Sequence, residues 1–125
     1  MALGTAPSGF TRALREQALV DGELPAATRS LIVDGVRGWL YPVRSEAGDD
    51  FQLFLWFDGS AYQVKVASPD VEAHCSHTCH LFAGGRLCLG EEAGGGVPTL
   101  VSAYARSVVW ANGFSVYLRR GTFPF

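Results

Sequence analysis

Lysine is almost absent from this chain: Lys65 is the only one, beside nine arginines. Charge of either sign is sparse, at 18% of residues with a formal net charge of -2. No basic stripe appears, which argues against a nucleic-acid surface, because phosphate binding rests on clustered Lys and Arg. No apolar run is long enough to span a bilayer, so no membrane association is expected. The opening MALGTAPSGFTRALREQ lacks the charged start and apolar run of a secretory signal peptide. Cysteine is scarce and odd in number, with Cys75, Cys79 and Cys88 only. Reduced thiols in a cytoplasmic setting are the expectation. No internal repeat and no linker interrupts the chain.

What is present is apolar bulk. Of 125 residues, 48% are hydrophobic, with eight Phe, four Tyr and three Trp. That is enough for one domain with a proper core, residues 1–125, and too little for two. Trp39, Trp56 and Trp110 fit that core better than base-stacking platforms, since no basic groove accompanies them.

The order of elements reads as α+β. Ser8 fits a helix N-cap, with Phe10, Leu14 and Ala18 at four-residue spacing as its buried stripe. Asp21-Gly22 and Pro25 close that helix. Leu31 to Val33 and Val36 to Val43 are strand-like, joined by Asp34-Gly35 as a hairpin or as one bulged strand. Phe51 to Phe57 reads as a strand buried on both faces. Asp58-Gly59 then signals a turn, and Tyr62, Val64 and Val66 form the buried face of the next strand, opposite a wetter face of Gln63, Lys65 and Ala67. Asp70 to Gly96 has little periodicity. Pro98 fits the first turn of a second helix, with Leu100, Val101, Tyr104, Val108 and Ala111 on one face and Asn112-Gly113 as its stop. The aromatic tail is expected to pack back through Phe114, Tyr117, Phe123 and Phe125. This is an N-terminal helix, an antiparallel meander of three or four strands, an irregular segment, a C-terminal helix and a packed tail.

The irregular segment carries the chemistry. It holds all three cysteines and all three histidines. Cys88 lies between Leu87 and Leu89, three residues after Gly85 and eight after His80. A thiol between apolar neighbours, behind a glycine-rich turn, can be offered to another protein while its flanks stay anchored. The alternative is a buried structural cysteine. His74, Cys75, His77, Cys79 and His80 are good zinc-ligand types, but they are crowded, and no second pair lies elsewhere except Cys88 itself. A small zinc-binding module is thus a rival reading, and no metal is assigned. A thiol hydrolase of Cys88 with His80 would need a third group to orient the base, and none stands out.

The segment CHLFAGGRLCLG resembles the active-site segment of ubiquitin-conjugating (E2-type) enzymes. Gly85, Arg86, Leu87, Cys88 and Leu89 match the end of that pattern in type and spacing. The family's His-Pro-Asn triplet reads Thr78-Cys79-His80 here, so His80 takes the asparagine position and the histidine and proline are absent. The short length resembles the bacterial E2-like proteins of ubiquitin-like conjugation operons, some of which serve antiphage defence. The resemblance implies a shortened ubiquitin-conjugating-enzyme-like fold.

It also implies an acyl transferase. An E1-like activating enzyme would pass a ubiquitin-like modifier to Cys88 as a thioester, for transfer to a lysine amine of a target protein, with no cofactor. Scarcity of lysine suits a protein that carries a reactive thioester, although genome composition is the preferred explanation. His80 is the implied partner of Cys88. It would donate to the tetrahedral oxyanion, worth about 3 kcal/mol, accept the amine's proton, or hold the loop in shape. Glu91 and Glu92 would orient an acceptor lysine or stand as solvated loop acids. A non-catalytic scaffold of the same fold, binding the modifier or the activating enzyme, is the alternative function.

Overall fold

The computed structural model describes residues 8–90 and 93–125. Two helices, α1 (Ser8–Glu23) and α2 (Leu100–Arg120), enclose a run of six strands: β1 (Arg29–Val33), β2 (Val36–Arg44), β3 (Asp50–Phe57), β4 (Tyr62–Ser68), β5 (Leu81–Phe82) and β6 (Arg86–Leu87). The strands form one antiparallel sheet in the order β1-β2-β3-β4-β6-β5. The fold is thus α+β, a four-strand meander extended by a two-residue hairpin. Among the described residues, no helix is long and apolar enough to cross a membrane.

The turns follow from local chemistry. β1 and β2 form a true hairpin, with Val33 opposite Val36 and a two-residue loop. Asp34 and Gly35 both adopt positive φ, 51° and 79°, as a primed turn requires. Between β3 and β4, the Asp58 carboxylate accepts from the N–H of Ser60 and of Ala61, both at 2.8 Å. The same carboxylate accepts from Gln63 Nε2, and Gln63 Oε1 accepts from Arg86. Gln63 is therefore buried rather than wet, because both ends of its amide are satisfied. The middle of β3 is covered on both faces: Leu53 and Leu55 point to the core, and Phe54 is buried on the opposite face beside Trp56.

The stripe of α1 is not the expected one. Phe10 and Leu14 are 61% and 59% exposed, and Ala18 is exposed too. The side turned inward carries Glu16, Val20 and Leu24. Two polar anchors set this rotation. The Tyr62 hydroxyl donates to Glu16 at 2.6 Å, and the Trp39 indole N–H donates to Gln17 at 3.3 Å. A hydrophobic count misses a face whose central residue is a carboxylate. The side chain of Ser8, expected as the cap, lies outside the described residues.

Helix α2 is longer than Asn112-Gly113 suggested. Thr99 caps it by accepting from the Ser102 N–H, so Pro98 precedes the helix instead of opening it. The helix ends at Gly121, in left-handed conformation with its N–H bonded to the Tyr117 carbonyl. Asn112 does not stop the helix because its side chain is engaged on both sides: Nδ2 donates to the Val108 carbonyl and Oδ1 accepts from the Glu46 N–H. Gly113 is buried mid-helix, and the tail closes over it. A Cβ there would lie 2.6 Å from Phe123 and 2.7 Å from Phe125. Phe114 and Tyr117, expected in the tail, belong to the helix.

The buried face of α2 lies on the sheet through Leu100, Ala103, Ser107, Trp110 and Phe114. Phe51 meets Trp110 and Phe114 edge-on at 5.7 and 6.2 Å, and those two rings stack at 4.9 Å. Each such aromatic pair adds about 1 kcal/mol beyond its burial. This packing fixes the groove-bearing part of α2 against the strand end where the cysteine segment leaves the sheet.

Candidate functional site

After β4 the chain makes a turn of 3-10 helix, Glu72–His74, and then a compact knot that ends at His80. The His80 N–H bonds the His77 carbonyl, and the Leu81 N–H bonds that of Ser76. His80 itself has φ 54°, a conformation that costs a residue with Cβ about 1–2 kcal/mol. Both neighbouring peptides hold it there. The Trp110 indole donates to the Cys79 carbonyl at 2.9 Å, and the Cys88 N–H donates to the His80 carbonyl at 2.9 Å.

The β5–β6 hairpin brings the chain back to the cysteine. Leu81 pairs with Leu87, and Arg86 reaches the Gly94 carbonyl and Gln63 while its guanidinium covers the Phe82 ring. Arg86, the one basic residue close to Cys88 in sequence, is thereby occupied with the loop. Leu87 and Leu89 are buried, and Cys88 between them is exposed. The backbone on the far side is equally fixed. The N–H groups of Leu89 and Gly90 share the Gly95 carbonyl, at 2.7 and 3.2 Å, and the Leu89 carbonyl accepts from Arg106 at 2.7 Å.

Cys88 opens onto a groove of about 260 Å³ lined by His80, Leu89, Arg106, Val109, Trp110 and Phe125. The His80 ring is half-buried there. Its Nε2 lies 2.9 Å from the Phe125 carbonyl oxygen. Phe123 meets it edge-on at 5.0 Å, and His77 approaches to 6.4 Å. Sequence reasoning placed Cys88 and His80 together, and the structure does bring them to one groove. It missed Arg106, Val109 and Trp110, which share a helix face by their spacing, and Phe125, which lies 45 residues from His80.

The histidine-cysteine cluster is dispersed. Cys79 is fully buried, and its thiol beside the Tyr117 phenol raises the pKa of that phenol. Cys75 bonds the Val71 carbonyl and Glu72, and burial pushes its thiol pKa up. His74 sits against the edges of Phe114 and Tyr117. Among the described residues, no three His, Cys, Asp or Glu side chains gather closely enough to hold a metal. Glu91 and Glu92 lie outside the described residues.

The chain matches no family model, no curated protein and no solved structure. The arrangement itself offers one accessible thiol, one imidazole, one guanidinium and an apolar slot. A thiol so placed can take an acyl group from another thioester and release it to an amine.

Proposed function

We propose that this chain is an E2-like carrier. It accepts a ubiquitin-like modifier from an activating enzyme as a thioester on Cys88, and transfers it to an amine of a target. One observation carries the reading: the Cys88 thiol is exposed at the mouth of a groove, while both flanking leucines are buried. The flanks fix the sulfur's position without covering it, which is what thiol exchange with a bulky protein partner demands. The other two thiols lack that access, Cys79 being buried and Cys75 engaged with Val71 and Glu72.

The thioester exchange needs little driving force, since a thiol replaces a thiol. The modifier's last residues would lie in the apolar slot between Val109, Trp110 and Phe125. Lys65 is on β4, in register with Arg86.

The test is an incubation with a cognate activating enzyme, ATP and modifier, resolved on gels with and without reductant. The expected product is a reductant-sensitive adduct that is lost in Cys88→Ala and becomes reductant-resistant in Cys88→Lys. Binding of the modifier with no adduct would replace this reading with that of a scaffold.

A further inference from the structure

The tail sets which nitrogen of His80 carries the proton. The Phe125 carbonyl oxygen can only accept a hydrogen bond, and it stands 2.9 Å from Nε2. Nε2 must therefore carry the proton. In a neutral ring that leaves Nδ1 bare, with a lone pair and no hydrogen. Two rings of the tail flank the imidazole: Phe123 meets it edge-on at 5.0 Å, and the Phe125 ring lies 6.5 Å away. Phe123 in turn is seated over Gly113, where any Cβ would collide with it.

We infer that residues Phe123 to Phe125 are the positioning element of the site, fixing His80 as the Nε2–H tautomer so that Nδ1 serves as proton acceptor for the attacking amine. The inference rests on the carrier reading for its chemistry and on the hydrogen bond alone for its geometry. In the transfer step the neutral amine nitrogen attacks the carbonyl carbon of the Cys88 thioester. The C–N bond forms and the C–S bond breaks, with its electron pair leaving on sulfur. The proton shed by nitrogen passes to His80 Nδ1 and then to the Cys88 thiolate. Product is an amide and a free thiol, and no oxidant or cofactor enters. Of the three roles open to His80 from sequence, this selects the base over the oxyanion donor, because the donor hydrogen is already given to Phe125. Charged or titratable groups facing the ring are Arg106 and Cys88 in the groove, His77 at 6.4 Å, and the Phe125 main-chain oxygen on Nε2, which is a carboxylate oxygen where Phe125 is the last residue.

The test uses the full chain and a chain lacking Phe125. Long-range proton–nitrogen correlation of histidine-labelled protein in mildly alkaline buffer reads the tautomer directly. The Nε2–H pattern is expected for His80 in the full chain, and a mixture after deletion. Cys88 is then loaded by exchange with the acetyl-Gly-Gly thioester of mercaptoethanesulfonate and discharged with free lysine. Deletion of Phe125 should slow discharge about tenfold, within the range of base catalysis, with the rate scored on the loaded fraction alone so that any change in loading does not enter it. In a His80→Ala background the deletion should add nothing. An Nδ1–H pattern in the full chain, or an equal loss from the deletion with and without His80, overturns the inference. A chain that shows the Nε2–H ring but never loads refutes the carrier reading, and the tail's hold on the ring stands.

Discussion

The N–H of Cys88 donates to the carbonyl of His80 over 2.9 Å, so the thiol-bearing and imidazole-bearing residues are joined through main chain, independent of either side chain. Removing the imidazole leaves that bond in place. His80→Ala should therefore load Cys88 normally and discharge it to amines about a hundredfold more slowly. His80→Asn, which tolerates the left-handed backbone better, guards against loss of the turn. Single-turnover discharge on gels measures both. Collapse of loading in both variants would make His80 a loop-holding residue alone.

Gly95 accepts the N–H groups of Leu89 and Gly90 on one carbonyl, with φ 80°. A Cβ there would lie 2.7 Å from the Phe82 ring, in a backbone region that L side chains rarely adopt. Gly95→Ala should cost about 1–3 kcal/mol of stability and reduce modification of Cys88 by a thiol probe to an irregular, slower course. Denaturant unfolding and maleimide labelling report the two effects. Full stability with unchanged labelling would show that the loop tolerates a different path.

Ser107 lies fully buried between Tyr41 and Tyr104. Its hydroxyl donates to the Tyr104 carbonyl at 2.6 Å, so the Tyr41 hydroxyl is the donor in the 2.7 Å bond between Tyr41 and Ser107. The two deletions are then unequal. Tyr41→Phe leaves Ser107 satisfied and should cost about 1 kcal/mol. Ser107→Ala strands a buried phenol and should cost up to about 3 kcal/mol. Equal losses, measured in urea, would mean that the donor assignment is reversed.

Burial pushes the phenols of Tyr41 and Tyr62 well above their ordinary value, and the bond to Glu16 adds to the shift at Tyr62. A phenol raised in the folded chain stays neutral after its unfolded counterpart has ionised. Stability is therefore whole below pH about 10 and falls as pH climbs towards the folded values. Tyr117 and Cys75 are displaced in the same direction. Urea unfolding across the alkaline range should show this decline, with a slope of up to about 1.4 kcal/mol per pH unit for each of Tyr41 and Tyr62. Tyr41→Phe and Tyr62→Phe should each flatten it. A pH-independent plateau in the wild type would contradict the buried placement of both rings.

Local chemistry was legible in the sequence where it acts alone. Asp34-Gly35 and Asp58-Gly59 act within a few residues, and each turn is found where expected, as is the strand around Val64, although its Gln63 is buried and not on a wetter face. The exposed sulfur was legible from the glycine-rich turn before it, since the two leucines alone would equally suit a buried cysteine. What failed depends on distant partners. The rotation of α1 is decided by Tyr62 and Trp39 reaching Glu16 and Gln17. The continuation of α2 past Asn112-Gly113 is decided by Glu46 on one side and by Phe123 and Phe125 on the other. The tautomer of His80 depends on Phe125 in the same way. Apart from Gly113 with Phe123 and Phe125, these partners lie too far apart in sequence for one local window to hold both.

One row along α2 has a practical corollary. Asn112, Ser115 and Arg119 meet Glu46, Ser45 and Asp49 in turn, at 2.7, 2.7 and 2.6 Å, so the hairpin tip between β2 and β3 is laced to the helix at three rungs. Insertion of a tag or fluorophore there would unlace it and loosen the wall of the groove by lever action. The tip at Asp34-Gly35 has open space around Gly35 and lies apart from these three rungs, so a reporter grafted there keeps them.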